Sequence, residues 1–284
     1  MRSQAPLGHA LKTALEYRVR NGIPLDAPCD VYELIVRQAI ELRFMEVKSL
    51  EGLYLVDGTA AQINVCAYRP AGLQRFTAAH ELGHHVFGHG SSFDPDLDYK
   101  ERFSSFGPQE RLADMFARFL LMPLRAVHAG FSHLGATTSN PSPGEVFKVA
   151  SWLGVGYTSL LHQMRWSLRI LAQAEFDLLI KEKPQNIKQG LTPSISKYGR
   201  TELWPVHSSW AGSHIHAEIG DVITGLDQNT SEIVTALDPA TFQATAVGQS
   251  KLPLLGGGEV KISVCRKEFV GFYDYRYLPE PKDA

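Results

Sequence analysis

The chain has 284 residues, 44% hydrophobic and 20% charged, with a formal net charge of −2. That length suits one large or two modest domains, and the near-neutral balance excludes a global basic field for nucleic acid. Cys29, Cys66 and Cys265 are odd in number and widely spaced, which points to free thiols in a reducing compartment and not to a disulfide framework. No stretch near the N-terminus reads as a secretory apolar region, and no apolar run is long enough for a bilayer. A cytoplasmic protein without membrane contact is expected.

Leu7, Leu11, Ala14, Leu15, Tyr17 and Val19 recur at helical spacing, and Asn21-Gly22-Ile23-Pro24 ends that helix. Pro28 and Asp30 open a second helix, expected over 31–42. Two short apolar strands should follow at 43–47 and 52–56, with Asp57-Gly58 as a hairpin turn. Residues 61–66 alternate and should pair back.

The next stretch carries the chemistry. His80-Glu81-Leu82-Gly83-His84 is an H-E-x-x-H motif on an expected helix whose body is Phe76, Ala78, Ala79, Leu82, Val86 and Phe87. With about 3.6 residues per turn, positions i and i+4 share a face, so two imidazoles can grip one Zn²⁺. Glu81, beside the first histidine, can act on water at the metal. Catalytic zinc usually takes a third protein ligand. The helix expected from Gln109 to Met122 supplies one, because Glu110 and Asp114 lie one turn apart opposite Leu112, Met115, Phe116, Phe119 and Leu120. Glu110 can ligate, and Asp114 can accept the ring N–H of a ligand histidine, His80 first. His85 projects about 100° away from His84 and should not share its metal. His89, five residues beyond His84 at the helix end, is expected to stay off the metal.

Residues 74–85 followed by 110–123 resemble the ImmA/IrrE metallopeptidases, and the resemblance covers about residues 30–165. That family's second motif usually has Asn where this chain has Asp114, a change that keeps a hydrogen-bond acceptor. The resemblance implies an α+β zincin-like fold and an intracellular peptidase that cuts a helix-turn-helix repressor or antitoxin, with roles in stress, mobile-element or toxin–antitoxin control. In zinc peptidases of this kind an extended substrate typically adds to an edge strand near the active-site helix, and residues 61–67 are the expected strand here.

Further along, 91–108 is a long polar loop that could rim the cleft. After the Gly/Ser/Thr/Pro-rich connection from Gly130 to Gly144, Ala150, Gly154, Val155 and Leu160 have helix-turn-helix spacing. Tyr157–Arg165 carries a single fixed positive charge, which argues against direct DNA binding. Helix is expected to continue over 165–180. Polar residues 181–190 mark a boundary, and beyond them short strands at regular spacing, near 203–206, 214–219, 222–223, 232–237, 244–247, 260–264 and 269–272, suggest a small barrel or sandwich. His214 and His216 share a strand face there, a pair with metal-ligand spacing but no third ligand in view. The expected organisation is a metallopeptidase domain (1–125), a helical helix-turn-helix-like subdomain (126–182), a linker (183–200) and a β-rich domain (201–284) that could sense a signal or dock substrate.

The oxyanion donor stays open among Tyr99, His128, His133 and a residue of the C-terminal domain. Mn²⁺ or Fe²⁺ would also accept two histidines and a carboxylate. The competing class is a DNA-binding or regulatory protein with a structural or vestigial zinc site, and Glu81 argues against it because a purely structural site needs no general base.

Overall fold

Small residues let the first helix approach its neighbour closely. Helix α1 (Gln4–Arg20) buries Ala10, Ala14 and Arg18, positions four apart on one face, while Leu11 and Val19 point outward. This face packs on α4 (Pro108–Leu121), the helix anticipated from Gln109 onward. Arg18 ends the buried stripe. Its guanidinium donates to the carbonyls of Leu120, Pro24 and Ala27, joining the end of α1 to the end of α4. The computed structural model describes residues 4–95, 107–193, 195, 201–227 and 231–279.

Helix α2 (Val31–Arg37) is capped by Asp30, whose side chain accepts from the Glu33 N–H at 3.3 Å. It is shorter than expected. Ala39 adopts φ +57°, turning the chain, and strand β1 (Glu41–Met45) begins where helix was anticipated. Leu42 and Phe44 are buried and alternate with exposed Glu41 and Arg43, so the two-residue period prevails there. Strands β2 (Leu50–Asp57), β3 (Ala60–Cys66) and β4 (Ser92–Pro95) extend the sheet, and β12 (Gly271–Phe272) completes it in the order β12-β1-β3-β2-β4. Strand β3 runs parallel to β1 and antiparallel to β2. Residues 61–67 are therefore interior to the sheet and offer no edge to a substrate; among the described residues the edge on this side is β4, which pairs with β2. Helix α3 (Ala71–Val86) packs against β2 and β3.

The chain divides into two compact units. One comprises Met1–Gly130, Leu153–Val155 and Val270–Phe272; the other comprises Phe131–Trp152, Gly156–Phe269 and Tyr273–Ala284. Helix α5 (Leu124–His133) occupies the start of the stretch expected as a subdomain. Helices α6 (Pro143–Leu153) and α7 (Tyr157–His162) follow, and Tyr157, Leu160 and Leu161 of α7 are buried, with the Tyr157 hydroxyl donating to the Leu179 carbonyl at 2.9 Å. The helix expected over 165–180 is broken. A π-turn at Gln163–Ser167 is followed by Arg169 at φ +57°, and α8 (Gln173–Leu179) starts afresh, with Glu175 accepting from the Ala172 N–H at 2.8 Å. Inside the expected linker, Pro184–Leu191 forms α9, opened by Pro184 in its first turn.

The C-terminal region is all-β. Strands β5 (Leu203–Pro205), β7 (Val222–Thr224), β9 (Thr241–Ala244) and β8 (Val234–Asp238) form one sheet in that order. Strands β10 (Gly248–Pro253), β11 (Glu259–Cys265) and β6 (His214–Glu218) form another. The strand expected at 244–247 is displaced to the two flanking segments, and Phe269–Phe272 contributes its last two residues to the N-terminal sheet as β12. The molecule is thus α+β with an all-β C-terminal region. No helix among the described residues is long and apolar enough to cross a membrane.

Candidate metal centre

Residues 74 to 84 of α3 are all buried, polar ones included. Burying His80, Glu81 and His84 at 3%, 0% and 1% exposure costs free energy unless partners or a bound ion repay it. The helix can be enclosed so fully because α4 lies directly against it at Gly83, where an added Cβ would come within 3.0 Å of the Ala113 Cα. That approach carries Glu110, in the first turn of α4, to the histidine face. His80 Nε2 lies 3.1 Å from Glu110 Oε2, His84 Nε2 lies 3.4 Å from the same oxygen, and the two Nε2 atoms are 3.2 Å apart.

Three donors so spaced fit one ion. With ligand bonds of about 2.0–2.2 Å, the edges of a tetrahedron are roughly 3.3 Å, and two imidazole nitrogens with one carboxylate oxygen suit zinc. The carboxylate is also tuned. Burial would raise the Glu110 pKa, but hydrogen bonds and charge from His80 and His84 outweigh it and hold the carboxyl well below the usual range. It therefore stays ionised, as a ligand must. Residues 37–165 match the IrrE N-terminal-like domain family, Peptidase M78.

The IrrE-like segment contains the whole His80-Glu81-His84-Glu110 constellation, and its match ends before the β-rich region begins. No curated protein matches the chain. Among solved structures, a Mycobacterium tuberculosis transcriptional regulator aligns at 18% identity and a TM-score of 0.36, covering 55% of this chain and 46% of that one. The chain thus spans less than half of that regulator's length.

Within the IrrE-like segment, Glu81 sits under the sheet. Gly52 of β2 faces it so closely that an added Cβ would lie 2.5 Å from Glu81 Oε1 and 2.5 Å from Thr77 Cγ2. Ser92, at the start of edge strand β4, donates to Glu81 Oε2 at 3.1 Å. Neither Gly52 nor Ser92 was singled out from sequence, since a lone glycine in a strand and a serine before a loop carry little signal. Asp114, the carboxylate anticipated behind His80, is buried on α4, and its Oδ2 accepts from Arg118 Nε at 2.6 Å.

His85 turns to the sheet, with its Nδ1 hydrogen-bonded to the Tyr54 hydroxyl at 3.0 Å. His89 comes closer to the centre than its position suggested: its Nδ1 lies 3.1 Å from His84 Nδ1. Burial first, then the neighbouring His84, pushes the His89 pKa down, which favours the neutral ring. Of the candidate oxyanion donors, Tyr99 lies outside the described residues and His128 is exposed on α5. His133 and Trp152 both belong to the second unit, where they pack edge-on at 5.1 Å between ring centroids. His214 and His216 do share a strand face, 3.9 Å between ring centroids. Both meet hydroxyls: His214 Nε2 bonds Ser263 Oγ at 2.7 Å, and His216 Nδ1 bonds the Tyr277 hydroxyl.

Proposed function

We propose that the chain is a cytoplasmic zinc-dependent endopeptidase of narrow specificity, whose substrate is a protein such as a helix-turn-helix repressor or antitoxin. The observation that supports this reading is the convergence of His80 Nε2, His84 Nε2 and Glu110 Oε2 within 3.4 Å of one another, beside a fully buried Glu81. His80, His84 and Glu110 would hold the metal. When bound, zinc supplies Lewis-acid polarisation of a peptide carbonyl and lowers the pKa of water. Glu81 accepts the proton of the attacking water and delivers it to the departing amine. Ser92 and the close cover of Gly52 hold that carboxylate in place. An extended substrate adds alongside β4, the edge strand that carries Ser92. Asp114, held by Arg118, accepts the free ring N–H of His80, and the β-rich region of 201–284 docks the substrate or senses a signal.

The test is the metal content and zinc affinity of the purified chain beside His84→Ala and Glu110→Ala. About one tightly held zinc per chain, lost in both variants, supports the reading. Retention in Glu110→Ala would remove Glu110 as a ligand. A wild-type chain that takes up no zinc would sink the peptidase reading altogether. Stress and toxin–antitoxin roles are then tested by looking for a repressor cleaved by wild type and spared by Glu81→Gln.

A further inference from the structure

Helix α3 ends in a way that aims one side chain at another. Phe87 is the last residue before the turn, Gly88 takes φ +65°, and two backbone bonds close the end: Gly88 N–H to the His85 carbonyl at 3.1 Å and His89 N–H to the His84 carbonyl at 2.9 Å. This pair of bonds is a Schellman motif, in which the residue after the left-handed glycine is folded back over the residue five before it. Usually the contact so made is apolar. Here it joins two imidazoles, with Nδ1 atoms 3.1 Å apart and ring centroids 5.0 Å apart, and Phe87 stacks on the His89 ring at 5.7 Å.

Two ring nitrogens at that separation need one proton between them: one donates and the other accepts. The other nitrogen of His84, Nε2, faces Glu110 Oε2 and His80 Nε2, and a metal there requires its lone pair. The His84 proton then belongs on Nδ1. We infer that His89 is a positioning residue that accepts the His84 Nδ1–H and so keeps the Nε2 lone pair turned to the metal. The inference rests on the metal reading of the site. Histidine ligands are ordinarily backed by a carboxylate, a carbonyl or water, and a neutral imidazole takes that place here. His89 needs its own proton on Nε2, which leaves Nδ1 as the acceptor.

The experiment is competitive zinc titration of the full chain as wild type, His89→Phe and His89→Asn, with thermal unfolding of each metal-free form alongside. Phenylalanine keeps a ring against Phe87 and His84 but removes the acceptor; asparagine restores an acceptor oxygen without the ring. The expected result is zinc affinity about 10–100-fold weaker in His89→Phe, with much of it regained in His89→Asn. The metal-free melting temperatures should not follow that order. Equal affinity in wild type and His89→Phe would overturn the inference, as would an asparagine variant no better than the phenylalanine one. If His89→Phe fails to fold, His89→Ala makes the same comparison. A wild type that binds no zinc removes the metal reading itself, an outcome distinct from a wild type that binds zinc as well as its variants do.

Discussion

Gly83 of α3 lies against Ala113 of α4 so closely that a methyl on the glycine would sit 3.0 Å from the Ala113 Cα and 3.2 Å from its carbonyl oxygen. The pair sets the spacing of the two helices that carry His80, His84 and Glu110. Backbone cannot yield as a side-chain tip can. Gly83→Ala gains about 1 kcal/mol of helix propensity but incurs about 1–3 kcal/mol of overpacking. Its folding stability should therefore fall by no more than about 2 kcal/mol. Zinc affinity should fall further, since Glu110 is pushed from the histidines. Urea unfolding and zinc titration on the same preparation check this, and unchanged zinc affinity would contradict it.

Gly52 and Glu81 give a second, separable prediction. An added Cβ at Gly52 would meet Glu81 Oε1 and Thr77 Cγ2, both at 2.5 Å, within a fully buried setting where Glu81 has nowhere to retreat. Gly52→Ala should displace the carboxylate while leaving the metal donors in place. Turnover should drop by about 10²–10⁴-fold in Glu81→Gln and by a large part of that in Gly52→Ala, with zinc retained in both. Cleavage assays beside metal analysis separate this from a loss of metal.

Asp221 makes the folded state sensitive to pH. Burial pushes its carboxyl up to about 7, against backbone N–H bonds from Glu218 and Glu202 that pull it down. The folded chain therefore holds this proton more tightly than the unfolded chain does. The resulting stability is fully present below the unfolded value of about 3.9 and is lost as pH rises through about 7, on the order of a few kcal/mol. Asp221→Asn should flatten that slope: it costs about 1–3 kcal/mol at pH 5, where the amide fits the bonds made by the carboxyl less well, and less than that at pH 8, where the buried wild-type group is charged. Urea unfolding at pH 5 and pH 8 measures both effects, and an equal slope in the variant would rule out Asp221 as the cause.

Arg18 ties three backbone carbonyls together from a fully buried position. Arg18→Leu keeps bulk but leaves those acceptors without their donor. A loss of about 3–5 kcal/mol in unfolding free energy is expected, with weaker zinc binding as the end of α4 loosens. A variant as stable as wild type would show that water or neighbouring groups replace the guanidinium.

Periodicity alone marked α3 and α4, because runs such as Phe76-Ala79-Leu82 and Leu112-Phe116-Phe119 repeat at helical spacing over several turns. It failed at short range. Residues 38–42 read as helix until Ala39 turned the chain, and residues 165–172 read as helix although Arg169 takes a positive φ. At such points one or two backbone angles outweigh side-chain pattern.

The His80-Glu81-x-x-His84 face was legible because its spacing is local and helix geometry repeats, and Glu110 was a candidate because it lies one turn from Asp114 on the polar face of a second amphipathic helix. What surrounds them was not legible. Gly52 and Ser92 reach Glu81 through strand pairing across the sheet, and β3 is interior because β1 runs parallel beside it. His89 is an intermediate case: Gly88 signals a helix end, but only the left-handed turn folds the second ring onto the first. Sequence by itself determined which residues could bind a metal and share a helical face. Only the tertiary structure decided what stands behind each of them, because those contacts join segments whose separation along the chain sets no spacing in the fold.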